Sequence, residues 1–413
     1  MRLPRAAGLL VVGIVGSVLP VAASTSVGVL PSAYADEPVP CAETTVPDTE
    51  ALADSKTKDN APLERMHVPQ AHEITQGRGV SVVVIDSGIQ RGLGINQGPV
   101  LRLPDVAGPL LSGHGTIVSA LIAGPEGVAP EAEVIDVRVF DSSDPDEAEG
   151  EKPVTSQRIA AGIQQAMDLY TTNPFHVVNI SLSVGTDDPE LRQAIKELQG
   201  LDVVVVASSG NAGETDETFE TFKSFKGTPR NDAAVYPADY KGVVGVSAAA
   251  PPGGTPIGSV VPNLDTDVAA PTVGGISLNA NGSRCDIEEL ATSWATAEVS
   301  GVLALLRSAH PEETAEQSIA RLVATTEGSE DAKNPWTGAG VVQAHDALTR
   351  SLDPGRSGKI ERSVLQNRND AVAPPPPVRL DLFGSSRALL LWCGLGGGAL
   401  MALAFMLRSL VRR

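Results

Sequence analysis

Cysteine, basic charge and suitably spaced histidine are all scarce in this chain, and each shortage narrows what it can be. Only three cysteines occur in 413 residues. Cys393 falls inside a strongly apolar run near the C-terminus, which leaves Cys41 and Cys285 as the one pair available for a disulfide outside a membrane. Sequence leaves open whether their Cα atoms approach to about 6 Å. If joined, they staple the N-terminal region to a loop eight residues before Ser293. Lys and Arg number 31 against 50 Asp and Glu, a net charge of −19; without clustered cations, binding to nucleic acid phosphates is not expected. His67, His72, His176, His310 and His345 lack the spacing of metal ligands. The acidic run "FDSSDPDEAEGEK", 140–152, lacks the fixed spacing of a calcium loop and reads as a solvated loop. No metal and no cofactor is expected, and no internal repeat is found.

Long apolar runs are confined to the two ends. Arg2 and Arg5 precede "AAGLLVVGIVGSVLPVAA", and Ala33 and Ala35 supply small residues for cleavage before Asp36, so residues 1–35 read as a signal peptide. Residues 36–78 form an N-terminal extension, polar, acidic and proline-punctuated to about residue 60. It is too short to bury a core of its own, and is expected to stay attached and wrap the main domain. From Ala388 to Leu407 no charge interrupts the chain, enough for a helix to cross about 30 Å of hydrocarbon. Arg408, Arg412 and Arg413 follow it, which places the tail 408–413 in the cytoplasm and the main domain outside. Between them, residues 351–387 include Pro374 to Pro377 and read as a stiff spacer.

The main domain, 79–350, has a different texture. "VSVVVIDSG", "AEVIDVRVF", "HVVNISLSV" and "LDVVVVASSGN" are short Val/Ile runs without alternation, as expected for strands covered on both faces. "HGTIVSALIAG", "SQRIAAGIQQAMDLY", "DPELRQAIKELQG", "SWATAEVSGVLALLRSAH" and "PEETAEQSIARLVATT" read as helices between and after them. Alternating strand and helix predicts an α/β fold with a parallel, doubly wound sheet.

Catalytic groups in such sheets gather at the carboxyl ends of strands. Asp86 ends one buried strand, His114 opens a helix between Gly113 and Gly115, and Ser293 opens a long apolar helix. Taken singly, each fits a cap or a turn. Taken together, the order Asp, His, Ser on a parallel sheet is one of the chain orders used by serine triads. A serine hydroxyl needs an imidazole to take its proton, and the imidazole needs a buried carboxylate to fix its tautomer. Asn211, at another strand end, and the Ser293 N–H are candidate oxyanion donors.

These blocks resemble the subtilisin-like serine proteases, the subtilases, over roughly residues 79–347. Within that family, the layout is similar to the mycosins: signal peptide, short arm, "PLERMHVPQAHEITQGRGVSVVVIDSG" entry, proline-rich linker and C-terminal anchor. The resemblance implies a membrane-anchored endopeptidase facing away from the cytoplasm, acting on protein or peptide substrates and tied to a type VII secretion membrane complex. It also implies substrate-pairing edges at Ser181, Leu182 and Ser183 and, opposite, at Ser208, Ser209 and Gly210. The chain departs from the family pattern where Ala291 replaces a glycine and Ala297 a proline around the nucleophile. A methyl at Ala291 is expected to crowd the acyl group or shift the Ser293 N–H, and a misplacement of about 1 Å there is worth about 100-fold in rate; since all side chains that do chemistry remain, an active but slow enzyme is expected. The competing reading is a catalytically weak scaffold that stabilises the secretion complex.

Overall fold

The computed structural model describes residues 39–43, 54–106, 108–143, 150–212, 234–328, 333–360 and 384–411. The expected signal peptide, most of the arm before residue 54, part of the acidic loop and the four-proline stretch lie outside the described residues.

Strands form where Val and Ile run together, because β-branched side chains fit a pleated surface. β1 (Ser81–Asp86), β2 (Gln97–Arg102), β3 (Glu133–Arg138), β4 (Val177–Ile180), β5 (Val204–Ser208), β6 (Val244–Ala249) and β7 (Thr266–Pro271) make one sheet in the order β2-β3-β1-β4-β5-β6-β7. Every pairing in it is parallel. β8 (Gly275–Leu278) and β9 (Arg284–Ile287) form a separate antiparallel pair. The α/β architecture read from sequence is therefore the observed one. β2, β6 and β7 are not among the runs read as strands; Gly98 and Pro99 interrupt β2, which lies at the edge of the sheet, where a missing proline N–H is tolerated.

Successive strand residues feed two cores, one on each face. Val82, Val84, Val204 and Val206 join one cluster, while Val83, Ile85, Val205 and Ala207 join the other. That is why the strands are apolar without alternation. α1 (Ala61–Arg65), α2 (Val68–His72), α3 (His114–Ala123), α4 (Ser156–Leu169), α5 (Pro189–Gln199), α6 (Thr292–Ala309), α7 (Ala315–Ala324) and α8 (Ala344–Thr349) complete the unit. Met66, Val68 and Ala71 are wholly buried in the first cluster. The chain from residue 61 therefore belongs to the same core as the residues after 79. Helix starts carry their own signals: Asp188 accepts from Glu190 and Leu191 N–H at α5, and Thr314 with Gln317 forms a capping box at α7.

Two features position the site. β1 lies between β3 and β4, so the chain winds to one side of β1 first and to the other later. Asp86 ends β1 at this switch point, where such sheets form crevices. α6 is buried from Thr292 through Arg307 and packs on α3, which fixes both helix starts by core packing. Residues 362–413 form a second unit, of which α9 (Gly384–Val411) is described. Its segment Leu389–Arg408 is long and apolar enough to cross a membrane, and its side chains are exposed.

Candidate active site

Asp86, 1% exposed, receives the imidazole of His114: Nδ1 lies 2.8 Å from Oδ1 and 3.0 Å from Oδ2. The Ser87 N–H also donates to Asp86 Oδ1 at 2.7 Å. Facing a carboxylate, Nδ1 carries the proton and Nε2 is left as the basic nitrogen. The start of α3 is held to the end of β1 by further bonds. Gly115 N–H donates to Ser87 Oγ at 3.0 Å, and His114 N–H donates to Ser112 Oγ at 3.2 Å. Gly115 is required by this approach, since a Cβ there would stand 2.6 Å from the Gly88 carbonyl and 3.0 Å from Asp86 Oδ1.

Ser293 occupies the first turn of α6 and is 7% exposed. The next residue, Trp294, lays its ring 4.9 Å from the His114 ring at a tilt of 33°. Thus the helix bearing Ser293 and the helix bearing His114 meet at their N-terminal ends. Helix N–H groups in a first turn lack intrahelical acceptors, and Asn211 meets one of them. Its Oδ1 accepts from Thr292 N–H at 2.8 Å and from Thr292 Oγ1 at 3.0 Å. Asn211 therefore caps the helix that carries Ser293.

Ser181 and Ser208 are buried, and their hydroxyls are committed to α6. Ser181 Oγ donates to the Ser293 carbonyl at 2.8 Å, and Ser208 Oγ lies 2.6 Å from Thr292 Oγ1. Ser209 is fully buried beside Thr266, Leu182 is 7% exposed, and Gly210 takes a φ of +96°. The side chains of Ser181, Ser208 and Ser209 thus face the protein interior. Sequence reasoning passed over Asn179 and Ser300, which complete the bracing: Asn179 Nδ2 donates to Ser181 Oγ at 3.0 Å, and Ser300 Oγ donates to Asn179 Oδ1 at 2.9 Å. Their signal was available, as polar residues inside otherwise apolar runs.

Ala291, expected to crowd the site, has φ −128° and ψ 140°. Any residue adopts this extended conformation, so the backbone there does not need glycine. Ala297 is fully buried within α6. Cys41 and Cys285 form a disulfide with Cα atoms 4.7 Å apart. Among the described residues, no group of three His, Cys, Asp or Glu side chains is placed to hold a metal ion.

Two further carboxyls are buried in the elements that carry these residues or pair with them. Burial pushes Asp136 up to about 7; Ile89 N–H, donating to its Oδ2 at 3.2 Å, opposes the rise, and the charge of Asp86 adds to it. Glu298, one and a half turns along α6 from Ser293, is raised well above the carboxylate range by burial alone, and its Oε2 has no hydrogen-bond partner.

The Peptidase S8 (subtilase family) model matches residues 77–345. Mycosin-1 of Mycobacterium tuberculosis is 29% identical over 328 residues, covering 70% of this chain and 72% of that protein. Among solved structures, the MycP3 protease from the type VII (ESX-3) secretion system is similar with a TM-score of 0.58 and 25% identity, over 76% of this chain and 94% of that one. A chain in an intact ESX-5 inner membrane complex has the same fold, with a TM-score of 0.59 and 22% identity over 91% of this chain and 94% of that one.

Proposed function

This chain belongs to the subtilase family of serine endopeptidases, and from that premise we propose that Asp86, His114 and Ser293 form its working triad. The observation that carries the reading is the short bond between His114 Nδ1 and the buried Asp86 carboxylate, beside the helix start that bears Ser293. His114 Nε2 takes the Ser293 proton as Oγ attacks the scissile carbonyl, and returns it to the leaving amine. Asp86 stabilises the imidazolium formed between these steps. The oxyanion lies between the Ser293 N–H and the Asn211 amide, whose orientation is fixed by the cap it makes on Thr292. Peptide substrate pairs as an extended strand with backbone at 181–183 and 208–210, because the Ser181 and Ser208 hydroxyls are used internally.

The domain acts outside the cytoplasmic membrane, with the segment Leu389–Arg408 as its anchor and the basic tail inside. Its substrates are exported proteins, and it works with a type VII secretion complex; the likeness to mycosin-1 and to the ESX-3 protease supports this. The test is N-terminal mapping of exported proteins from cells carrying either the native chain or Ser293→Ala. New N-termini present only with Ser293 are expected, and identical maps would refute cleavage of exported substrates.

A second role, bracing the secretion complex, draws on the fold shared with a chain of the intact ESX-5 assembly over 91% of this chain. It predicts that Ser293→Ala preserves the membrane complex while deletion of the chain dissolves it.

A further inference from the structure

Beside the nucleophile lies a cleft of about 310 Å³ that the triad does not use. Trp294, which follows Ser293 and contacts the His114 ring, forms one wall. The arm forms another. Cys41 N–H donates to the Asp286 carbonyl at 2.9 Å, Asp286 N–H to the Val39 carbonyl at 2.7 Å, and Ala42 N–H to Asn279 Oδ1 at 2.9 Å. With the Cys41–Cys285 disulfide, these bonds lay residues 39–42 along β9 and bring Glu43 to the cleft.

The lining is acidic. Glu43, Asp286, Glu288 and Glu289 contribute to it, and among the described residues no Lys, Arg or His does. Asp286 is 3% exposed; its Oδ2 accepts from Val39 N–H at 2.8 Å, but its Oδ1 has no hydrogen-bond partner. A buried carboxylate oxygen left unmet is costly unless something completes it. Arg284, the neighbouring cation, gives its hydrogen bonds to Glu126 and to the carbonyls of Ser55 and Thr57, and reaches Asp286 through its charge alone. Among the described residues these carboxylates are not grouped as a metal site. Glu43 is exposed, and partial desolvation pushes its carboxyl up; His114 opposes the rise, and Glu289 and Asp86 add to it. The Glu43 carboxylate thus sits in the field of Glu289 and of the catalytic pair.

We infer that this cleft is a specificity site for a Lys or Arg side chain of the polypeptide substrate, held near the scissile bond by Glu43, Glu289 and Asp286 against the Trp294 ring. An extended cation fits a narrow acidic cleft with an aromatic wall, through charge-assisted hydrogen bonds and contact with the indole. The N-terminal arm then acts as part of the substrate site, supplying Glu43. This inference rests on the proposed triad for its meaning in catalysis, although binding alone tests it.

The experiment uses the full chain in detergent with Ser293→Ala and fluorescent Ala/Gly octapeptides that carry a single Lys, or a single Glu, at each position in turn. Fluorescence anisotropy is expected to give one position where Lys binds at least tenfold tighter than Glu. Adding Glu43→Gln and Glu289→Gln, in a variant whose melting temperature matches its parent, is expected to erase most of that difference. Equal binding of the two series, no binding of either, or a preference untouched by the Gln substitutions would overturn the inference. Fluorophosphonate labelling of the native chain separates the two questions. A labelled chain without a basic preference sinks the specificity site alone, while an unlabelled chain with the preference sinks the triad alone.

Discussion

Asp136 carries the clearest cost among the buried residues near the triad. Its folded pKa of about 7 lies above the ordinary carboxylate value, so between pH 4 and 7 the unfolded chain has lost a proton that the folded chain keeps. Stability contributed by the protonated form is therefore complete below pH 4 and is lost as pH rises toward 7. A rise of about three pKa units corresponds to roughly 4 kcal/mol. Asp136→Asn keeps an oxygen for the Ile89 N–H and removes the titration. Its melting temperature should match the native chain near pH 4 and exceed it clearly at pH 8; parallel pH profiles would contradict this. Burial shifts Glu298 in the same direction. At this scale Asp86, His114 and Ser293 could be put forward from sequence because each polar residue stands where an apolar run starts or stops, and the structure joins Asp86 to His114. Asp136 gave no such signal, since it sits within the strand run "EVIDVR", and only the sheet register, which pairs it with Val84 two residues before Asp86, brings it near the site.

The N-terminus of α6 joins fold to chemistry. Ala291 supplies no side-chain cap, and Asn211 provides the capping oxygen from the end of β5. Asn211→Asp keeps that oxygen and removes the amide donor, whereas Asn211→Ala removes both. Loss of an oxyanion donor costs about 100- to 1,000-fold in kcat, and loss of a cap about 1 kcal/mol of stability. The Asp variant should therefore melt close to the native chain with kcat reduced on that scale and KM little changed. The Ala variant should lose both. Equal kcat in native and Asp forms would remove Asn211 from the oxyanion site. Helices were readable from period and caps, but the bonds from Ser181, Ser208 and Asn179 to α6 were not, because they join strand ends to a helix more than eighty residues away.

For the whole molecule, a compact catalytic unit and an apolar helix share one chain, and each predicts a separable behaviour. The full chain should stay with membranes through an alkaline wash, while a chain ending at residue 360 should be released and remain folded. Release of the full chain would exclude α9 as an anchor. The apolar run was evident in sequence by length alone. By contrast, the acidic cleft was not read from sequence, since Glu43 reaches it through the backbone bonds of residues 39–42 to distant residues as well as through the Cys41–Cys285 pairing, which sequence left open. The inclusion of residues 61–72 in the core was hidden for a similar reason, as few apolar side chains there mark it before Met66, Val68 and Ala71 converge.

The most direct measurement is covalent labelling of the purified chain with a fluorophosphonate, followed by peptide mapping, for the native form, Ser293→Ala and Asp86→Asn. The triad predicts one label per folded chain, attached at Ser293, absent in the Ala variant and slowed by orders of magnitude when Asp86 no longer fixes the His114 tautomer. A folded chain that takes no label, or labelling at Ser293 that is indifferent to Asp86→Asn, would contradict it.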